Sequence, residues 1–217
     1  VGLRALKRTL GELPKQKSVA RFLLANMIYT DGLVSLFAFG GIYAASTFGW
    51  RTIQIGSFGI LLAIAGTFGA WIGGKLDDRF GPKRVIAGSL TILLLALAAI
   101  LLVDKDSILF VKVAPPVPGG PLFSGAAERA YLVLGCLIGA AGGPLQAASR
   151  SLLIRLAPRD RIAQYFGLFA LTGKVTSFIG PLLIGVVTAV TASQKAGMAI
   201  LVVFFAAGLA LLARVRE

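Results

Sequence analysis

The sequence contains no histidine and a single cysteine, Cys136. A disulfide cannot form within the chain, and the usual histidine and cysteine ligand sets of metal sites are missing. Charged residues are also scarce, at 14% of the 217 residues, and only nine residues are acidic. These absences exclude disulfide-rich secreted domains and most metal enzymes, and we expect no metal and no cofactor.

The abundant residues are apolar: 57% of the chain is hydrophobic and the mean hydropathy is +0.86. This is too apolar for a water-soluble domain of this length. The formal net charge of +13 could suggest nucleic acid binding, but the basic residues punctuate long apolar runs instead of sharing one face. We therefore predict an integral membrane protein, surrounded by the lipid bilayer, with no nucleic acid partner.

Six apolar runs are long enough to cross a membrane. A helix needs about 20 apolar residues to span a hydrocarbon core of about 30 Å. We predict spans at 22–46, 53–74, 84–103, 130–153, 163–190 and 195–213, with a basic segment at 1–21 before the bundle and a tail at 214–217. Because several runs are apolar on every face, strands of a membrane barrel are excluded. The predicted fold class is an all-α membrane protein with six transmembrane helices.

The basic residues indicate the orientation of these spans. Of the 22 Lys and Arg residues, sixteen lie before the first span, in the second and fourth loops or in the tail, five lie in the other loops, and Lys174 lies inside a span. The positive-inside rule then places both termini in the cytoplasm, and we expect a bacterial inner membrane. Residues 1–21 carry leucines at helical spacing, so an amphipathic helix on the membrane and a solvated linker both remain open.

The segments between spans give weaker predictions. In the long loop after the third span, Ile108–Val113 is typical of a short strand and 115–120 of a turn, which together permit a small hairpin. Trp50 and Tyr131, close to span ends, are interpreted as interfacial anchors. The chain starts at Val1 in a basic segment without an initiator Met or a signal pattern, so we expect it to be part of a longer protein.

One motif lies between the second and third spans. Its sequence is Gly74-Lys75-Leu76-Asp77-Asp78-Arg79-Phe80-Gly81-Pro82-Lys83-Arg84. It resembles the G-x-L-x-D-R-x-G-x-K-R loop of major facilitator transporters and departs from it at Pro82, where that family commonly has a basic residue. The residues that match are Gly74, Leu76, Asp78, Arg79, Gly81, Lys83 and Arg84. The resemblance implies a gating loop in which Asp78 latches onto a helix N-terminus of another six-helix half. In a solvated loop Asp78 would pair with Arg79 or Arg84 instead.

Three further stretches resemble one branch of that superfamily, the autophagy-related vacuolar amino-acid effluxers and their bacterial relatives. They are Tyr29–Gly32, Gly142–Ser151 and Phe166–Lys174, the last followed by Gly180-Pro181. With six spans and a cytoplasmic start, the resemblance implies the C-terminal half of a twelve-helix transporter, built as a three-plus-three inverted repeat. Its implied partner is the missing N-terminal half, or a second copy of the chain.

Two formal charges lie deep inside spans, Asp31 and Lys174. Each costs about 2.5 to 3.5 kcal/mol near a helix centre on the insertion scale. Counted from Phe22 and Tyr165, each lies about 14 Å into the membrane, so the two charges share a depth. We expect Asp31 to exchange a proton or bind a substrate amine and Lys174 to bind a carboxylate. If the two helices approach, we also expect an ion pair between them, formed directly or bridged by water or substrate. A structural ion pair, or a Lys174 that faces the seam between halves, is the alternative.

Uncharged polar residues near that depth are further candidates: Gln146 and Ser149 in the fourth span, and Tyr29, Asn26 and Thr30 in the first. Each could contact a substrate or bond between helices. Arg150, near the cytoplasmic end of the fourth span, is interpreted as a gate or as a charge that reaches out to the interface, with a substrate ligand as the alternative.

Small residues recur every four positions in the fourth span, at Gly135, Gly139, Gly143, Ala147 and Ser151. This face predicts close packing on a neighbouring helix. Gly32, Gly173 and Pro181 lie close to the two buried charges and indicate weakened backbone bonding at that depth, although such residues are frequent in membrane helices without forming sites.

Two functions remain open. The first is half of a secondary transporter that moves a small polar solute, an amino acid or related metabolite, by alternating access, with proton coupling through Asp31 as a hypothesis. The second is a six-helix membrane module that assembles or regulates without transporting. An enzyme is not expected, because the sequence has no phosphate loop, no Ser-His-Asp arrangement and no second carboxylate beside Asp31 within a span.

Overall fold

A computed structural model describes residue 11 and residues 16–114 and 122–216. The helices are α1 (Lys17–Phe48), α2 (Thr52–Phe80), α3 (Pro82–Leu101), α4 (Ala126–Leu156), α5 (Ile162–Val175), α6 (Ile179–Thr191) and α7 (Gln194–Ala213). They supply six stretches long and apolar enough to cross a membrane, because α5 and α6 belong to one stretch, Arg159–Thr191, which starts with a short 3-10 helix. Within the described residues the predicted all-α fold with six apolar helices is confirmed.

The connecting segments differ from the predictions in detail. Most of the predicted segment 1–21 and the turn at 115–120 lie outside the described residues, and α1 already begins at Lys17. The loop after α3 forms three short antiparallel strands in the order β1-β2-β3. They are β1 (Val103–Asp104), β2 (Ser107–Ile108) and β3 (Val111–Lys112), with Val103 paired to Ile108 and Ser107 to Lys112. The single strand predicted at Ile108–Val113 is therefore wrong, since a turn at Leu109 and Phe110 divides it.

The most extensive helix contact joins α2 and α4. A Cβ atom on Gly139 would lie only 2.5 Å from the carbonyl oxygen of Leu62, and α2 leaves no room for one on Gly135 or Gly143. A glycine face lets two backbones approach this closely. The predicted close packing is confirmed for these three glycines, whereas Ala147 on the same face is exposed.

The turn between α2 and α3 requires a glycine. Gly81 has a φ of 84°, a region that L side chains rarely adopt, and its N–H donates to the carbonyl of Asp77 at 2.9 Å. Pro82 follows as the first residue of α3, where the missing N–H has no helical partner to lose. Pro82, where this loop differs from the major facilitator motif that it resembles, is thus a residue suited to the start of a helix.

The fifth span is interrupted at residues 176–178, between α5 and α6. There the N–H of Ile179 donates to the carbonyl of Thr176 at 2.8 Å, and the N–H of Ser177 donates to that of Lys174 at 3.4 Å. Pro181 lies in the first turn of α6, where N–H groups lack intrahelical partners. The interruption leaves Lys174 in the last turn of α5.

The structure corrects the roles expected for Trp50 and Tyr131, which are 4% and 1% exposed. The Trp50 indole N–H donates to Glu128 Oε1 at 2.9 Å, and the Tyr131 hydroxyl donates to the carbonyl of Gly40 at 2.7 Å. Glu128 also accepts the N–H of Gly125 at 2.9 Å, in the first turn of α4, where the helix dipole favours a negative charge. Both rings are internal because each bond joins two elements. The Tyr131 bond joins α4 to α1, and the Trp50 bond joins the loop after α1 to α4.

The basic segments meet at one end of the bundle. The Arg21 guanidinium donates to the carbonyl of Arg214 at 3.2 Å, and Lys83 Nζ donates to that of Val215 at 2.5 Å. We call this the basic end; it holds the starts of α1, α3 and α5 and the ends of α2, α4 and α7. At the opposite end Lys195 pairs with Asp104 at 2.5 Å and so links α7 to β1.

The spans differ strongly in burial. In the most apolar part of α2 and of the fifth span 11% of the residues are buried, against 33 to 56% in the other four spans. The two exposed spans are the second and the fifth, so each is the middle span of one half of the bundle. Equivalent exposure is what two three-helix repeats are expected to give. These two spans therefore present the bundle's most open faces.

The α2–α4 contact can be tested with Gly139→Leu. The added side chain would collide with the α2 backbone, and overpacking of this kind costs about 1 to 3 kcal/mol or more. We expect a clear fall in melting temperature, measured by thermal unfolding in detergent. Gly59→Leu is the matched control, since no atom lies within 4 Å of a Cβ at that position. Equal melting temperatures for the two variants would contradict the close contact.

Candidate functional site

A cavity of about 350 Å³ lies between α1, α4 and α5. Its polar lining residues are Asn26, Tyr29, Thr30, Gln146, Ser149, Arg150 and Lys174, and the others are apolar or glycine. All seven are candidates that the sequence analysis selected. The structure thus brings them together from three helices; we call this space the central cavity.

Two of the wall residues bind each other. The Tyr29 hydroxyl and Ser149 Oγ are 2.7 Å apart, and Ser149 Oγ donates to the carbonyl of Leu145 at 2.5 Å. Because the single Ser149 hydroxyl proton is used toward Leu145, Tyr29 is the donor to Ser149. Both side chains are 1% exposed. This buried chain of hydrogen bonds fixes α1 against α4 and forms part of the cavity wall.

The charged residues of the central cavity are both cations. Lys174 and Arg150 are exposed, and neither makes a side-chain hydrogen bond or an ion pair with any described residue. Gln146 is also exposed, whereas Asn26 is buried and accepts a long bond from Thr30 at 3.4 Å. Among the residues that the structure describes, no acidic one lines this cavity. The arrangement favours an anionic group in whatever binds there.

Asp31 lies in a different place. It lines a second cavity of about 240 Å³, together with Thr176 and Ile179 at the interruption of the fifth span and Phe204 on α7. Asp31 is 2% exposed, and its Oδ1 has no hydrogen-bond partner among the described residues, while Thr176 lies beside the carboxylate. The direct ion pair expected with Lys174 is therefore not formed.

Helix geometry explains this separation. Successive residues turn by about 100° around an α-helix, so Asp31 points about 200° away from Tyr29. Tyr29 faces α4, which turns Asp31 toward α6 and α7. Consistent with this, a Cβ atom on Gly180 of α6 would lie 3.1 Å from the carbonyl oxygen of Asp31. A common depth of two charges in the membrane does not determine the direction in which each points.

The predicted gating loop lies at the basic end. Its residues are Gly74, Asp78, Arg79, Gly81, Lys83 and Arg84. Asp78 is exposed, and among the described residues it pairs with neither Arg79 nor Arg84. The expected pairing within the loop is therefore not formed. The role of Asp78 as a latch stays a prediction.

The whole chain, residues 1–217, matches the family model described as vacuole effluxer Atg22 like. The chain belongs to the Atg22-like vacuole effluxer family. Its relatives include the uncharacterized MFS-type transporter YxiO of Bacillus subtilis, 26% identical over 99% of this chain and 45% of that protein. Autophagy-related protein 22 of Yarrowia lipolytica is 28% identical over 86% of this chain and 29% of that protein. The chain thus spans less than half the length of these curated relatives.

The fold of this Atg22-like chain is similar to that of the xylose transporter XylE from E. coli in an inward open conformation. The TM-score is 0.69 at 12% identity, over 92% of this chain and 47% of that one. At this identity the likeness shows the fold alone, half of a major facilitator fold. The predicted family and membrane location are confirmed, and the Atg22-like family consists of transporters rather than enzymes.

Sequence reasoning missed three buried polar groups of the Atg22-like chain. Ser35, Tyr43 and Asp77 each have a side-chain oxygen without a hydrogen-bond partner among the described residues. Ser35 lies one turn after Asp31, and Gly180 packs directly against it. The four-residue spacing of Asp31 and Ser35 puts both on one face of α1, and it was the signal available in the sequence. Ser35 therefore extends the polar surface around Asp31.

The bond between Tyr29 and Ser149 predicts unequal effects of two small substitutions. Tyr29→Phe leaves Ser149 bonded to Leu145 and should cost about 0.5 to 1.5 kcal/mol. Ser149→Ala leaves the buried Tyr29 hydroxyl without an acceptor and should cost about 1 to 3 kcal/mol. Thermal unfolding in detergent would measure both. A larger loss for Tyr29→Phe would show that the donor has been assigned wrongly.

Proposed function

We propose that the protein is a secondary transporter that moves a small polar solute, an amino acid or a related metabolite, by alternating access, with this chain as its C-terminal half. The observation that carries the proposal is the central cavity, which gathers Lys174, Arg150 and Gln146 from two helices. A cavity of about 350 Å³ fits a small ligand. Family membership favours transport over a membrane module that only assembles or regulates.

A second six-helix half is the proposed partner. The chain covers 45% of its Bacillus relative and 47% of the xylose transporter chain. The exposed side of α2 that carries Ile60, Ile64 and Trp71, and the open face of the fifth span, support a partner there. A second copy of the chain is the alternative. The two halves would rock about the central cavity. By the positive-inside rule the basic end would face the cytoplasm. Both termini would then lie on the cytoplasmic side of a bacterial inner membrane.

The cationic cavity suggests how the solute is held. Lys174 and Arg150 would bind a carboxylate, because both ammonium and guanidinium groups form strong hydrogen bonds with anions. The amide groups of Gln146 and Asn26 would hydrogen-bond an amino group. Asp31 does not line this cavity, so it would not bind the amine of a zwitterion as the sequence suggested.

Asp31 would instead serve ion coupling. A carboxylate without a charged partner is costly inside a membrane protein unless a proton or cation neutralises it. Among the described residues, no other charged one lines its cavity. Lys174 in the central cavity and Thr176 beside Asp31 are two residues apart, at the end of α5. A shift of this end when solute binds would change the surroundings of Asp31. The two cavities would thereby be coupled through the interruption of the fifth span.

The binding role of Lys174 can be tested with the full-length protein in proteoliposomes, using a panel of radiolabelled amino acids. Loss of a charged hydrogen-bond donor is worth about 1.5 to 3 kcal/mol, so Lys174→Gln should raise the KM for uptake by about 10- to 100-fold. Lys174→Arg, which keeps the charge, should retain much of the affinity. Arg129→Gln removes a charge from the opposite end and should change little. An unaltered KM in Lys174→Gln would remove this residue from the site.

The coupling role of Asp31 predicts a separation of two activities. Asp31→Asn cannot exchange a proton, so accumulation driven by a pH gradient should be lost. Exchange of labelled for unlabelled solute at equal pH should persist, because the asparagine resembles a neutral carboxyl group. Both are measured in the same proteoliposomes. Gradient-driven accumulation equal to that of the unaltered protein would refute proton coupling at Asp31.

A further inference from the structure

An apolar cavity of about 490 Å³ lies between α2 and α3, with α4 as its floor. The two helices follow each other in the chain but touch little, while each packs extensively on α4. We call this space the α2–α3 cleft. The described residues that line it are apolar or glycine apart from Arg84 and Ser89. Its exposed large side chains are Ile72, Leu76, Phe80, Ile92 and Leu137.

Two glycines of the cleft differ in their surroundings. A Cβ atom on Gly73 of α2 would lie 2.5 Å from Cβ of Pro144, so α2 is packed tightly on the floor. By contrast, no atom lies within 4 Å of a Cβ built on Gly88 of α3. The volume above Gly88 is therefore open space and is not filled by contact between the helices.

One end of the cleft is positively charged. Arg84 lines the cleft, is exposed, and makes no side-chain hydrogen bond or ion pair with any described residue. The Arg155 guanidinium lies at the same end, 3.6 Å from the position a Cβ on Gly81 would take. Asp77 and Asp78 are the acidic residues nearby in sequence, and within the described chain neither pairs with these arginines. Two guanidinium groups are thus free to bind an anion.

We propose that the α2–α3 cleft binds an anionic phospholipid, with an acyl chain in the cleft and the phosphate on Arg84. The open walls belong to membrane spans, where acyl chains are the molecules available to fill an apolar space. A guanidinium group binds phosphate through paired hydrogen bonds, and basic pockets between membrane helices bind anionic head groups. Charge complementarity therefore selects an anionic lipid over a neutral one.

The lipid site is separate from the proposed transport site. Within the described part of the chain, the cleft and the central cavity share no lining residue. The bound phosphate would hold the start of α3 near the end of α4, since Arg84 and Arg155 belong to these two helices. Lipid binding can accordingly be measured without knowing the transported solute.

The head-group contact is tested by native mass spectrometry of the full-length protein in detergent. The probes are palmitoyl-oleoyl phosphatidylglycerol and, as the neutral comparison, the matching phosphatidylcholine. We expect about tenfold tighter retention of the anionic lipid, the size of effect that a charge-assisted hydrogen bond gives. Arg84→Gln should abolish that preference and leave phosphatidylcholine retention unchanged. Arg129→Gln at the opposite end is the charge control and should keep the preference.

The acyl-chain contact is tested with Gly88→Leu. A leucine fits at this position without collision and occupies the cleft, so retention of both lipids should fall by about tenfold. Gly59→Leu, on α2 outside the cleft, is an equally open glycine position and serves as the control. Melting temperatures of all variants establish that each is folded.

Three outcomes would overturn the proposal. Equal retention of the two lipids by the unaltered protein would reject the head-group contact with Arg84. Normal retention in Gly88→Leu would reject the cleft as the place of the acyl chain. If Gly88→Leu leaves lipid retention normal but dissociates the protein's assembly in size-exclusion chromatography, the occupant of the cleft is a protein segment.

Discussion

Close approach of helix backbones is the constraint on which this bundle depends. Lipid tails are as apolar as leucine side chains, so membrane helices gain little from burying apolar surface against each other. Glycines let α2 and α4 meet at backbone distance, and the pairing of α1 with α7 uses the same device: a Cβ on Gly32 would lie 3.0 Å from Phe204, and one on Gly208 would lie 2.9 Å from Tyr29. Two glycine-packed pairs thus support the rest of the fold.

The same arrangement makes α1 the partition between two chemically different spaces. One side of α1 is fixed to α4 by the bond from Tyr29 to Ser149 and faces the cationic central cavity. The opposite side holds Asp31 in a pocket that it forms with α7 and the interruption of the fifth span. The Asp31 carboxylate and the Lys174 ammonium therefore lie in separate cavities. Neighbouring residues line the two spaces at two places in the chain: Thr30 and Asp31 on α1, and Lys174 and Thr176 in the fifth span.

Much of the fold follows from the sequence because the signals are local. Six apolar runs of sufficient length predict six membrane helices, and the four-residue spacing of glycines predicts the α4 face that meets α2. The polar residues that line the central cavity could also be singled out in the sequence, since polar residues are rare inside spans. In each case composition or spacing within one helix carries the information.

Features that depend on how the helices pack against one another could not be predicted from the spacing or composition of a single helix. The depth of Asp31 was calculable, but its direction depends on which face of α1 meets α4. Trp50 lies at a span end, where an aromatic residue usually anchors at the interface, and only the fold brings it to Glu128. The interruption of the fifth span also lacked a clear signal, because Pro181 lies beyond it, within the first turn of α6.

That interruption gives the fifth span a joint. A continuous helix that crosses the bilayer can only tilt as one rod, and it would carry its contacts with α7 along. Because α5 and α6 have separate axes, α5 can tilt at the basic end while α6 keeps its contacts with α7. In the proposed transport cycle, a small tilt of α5 alone would then open or seal one side of the membrane.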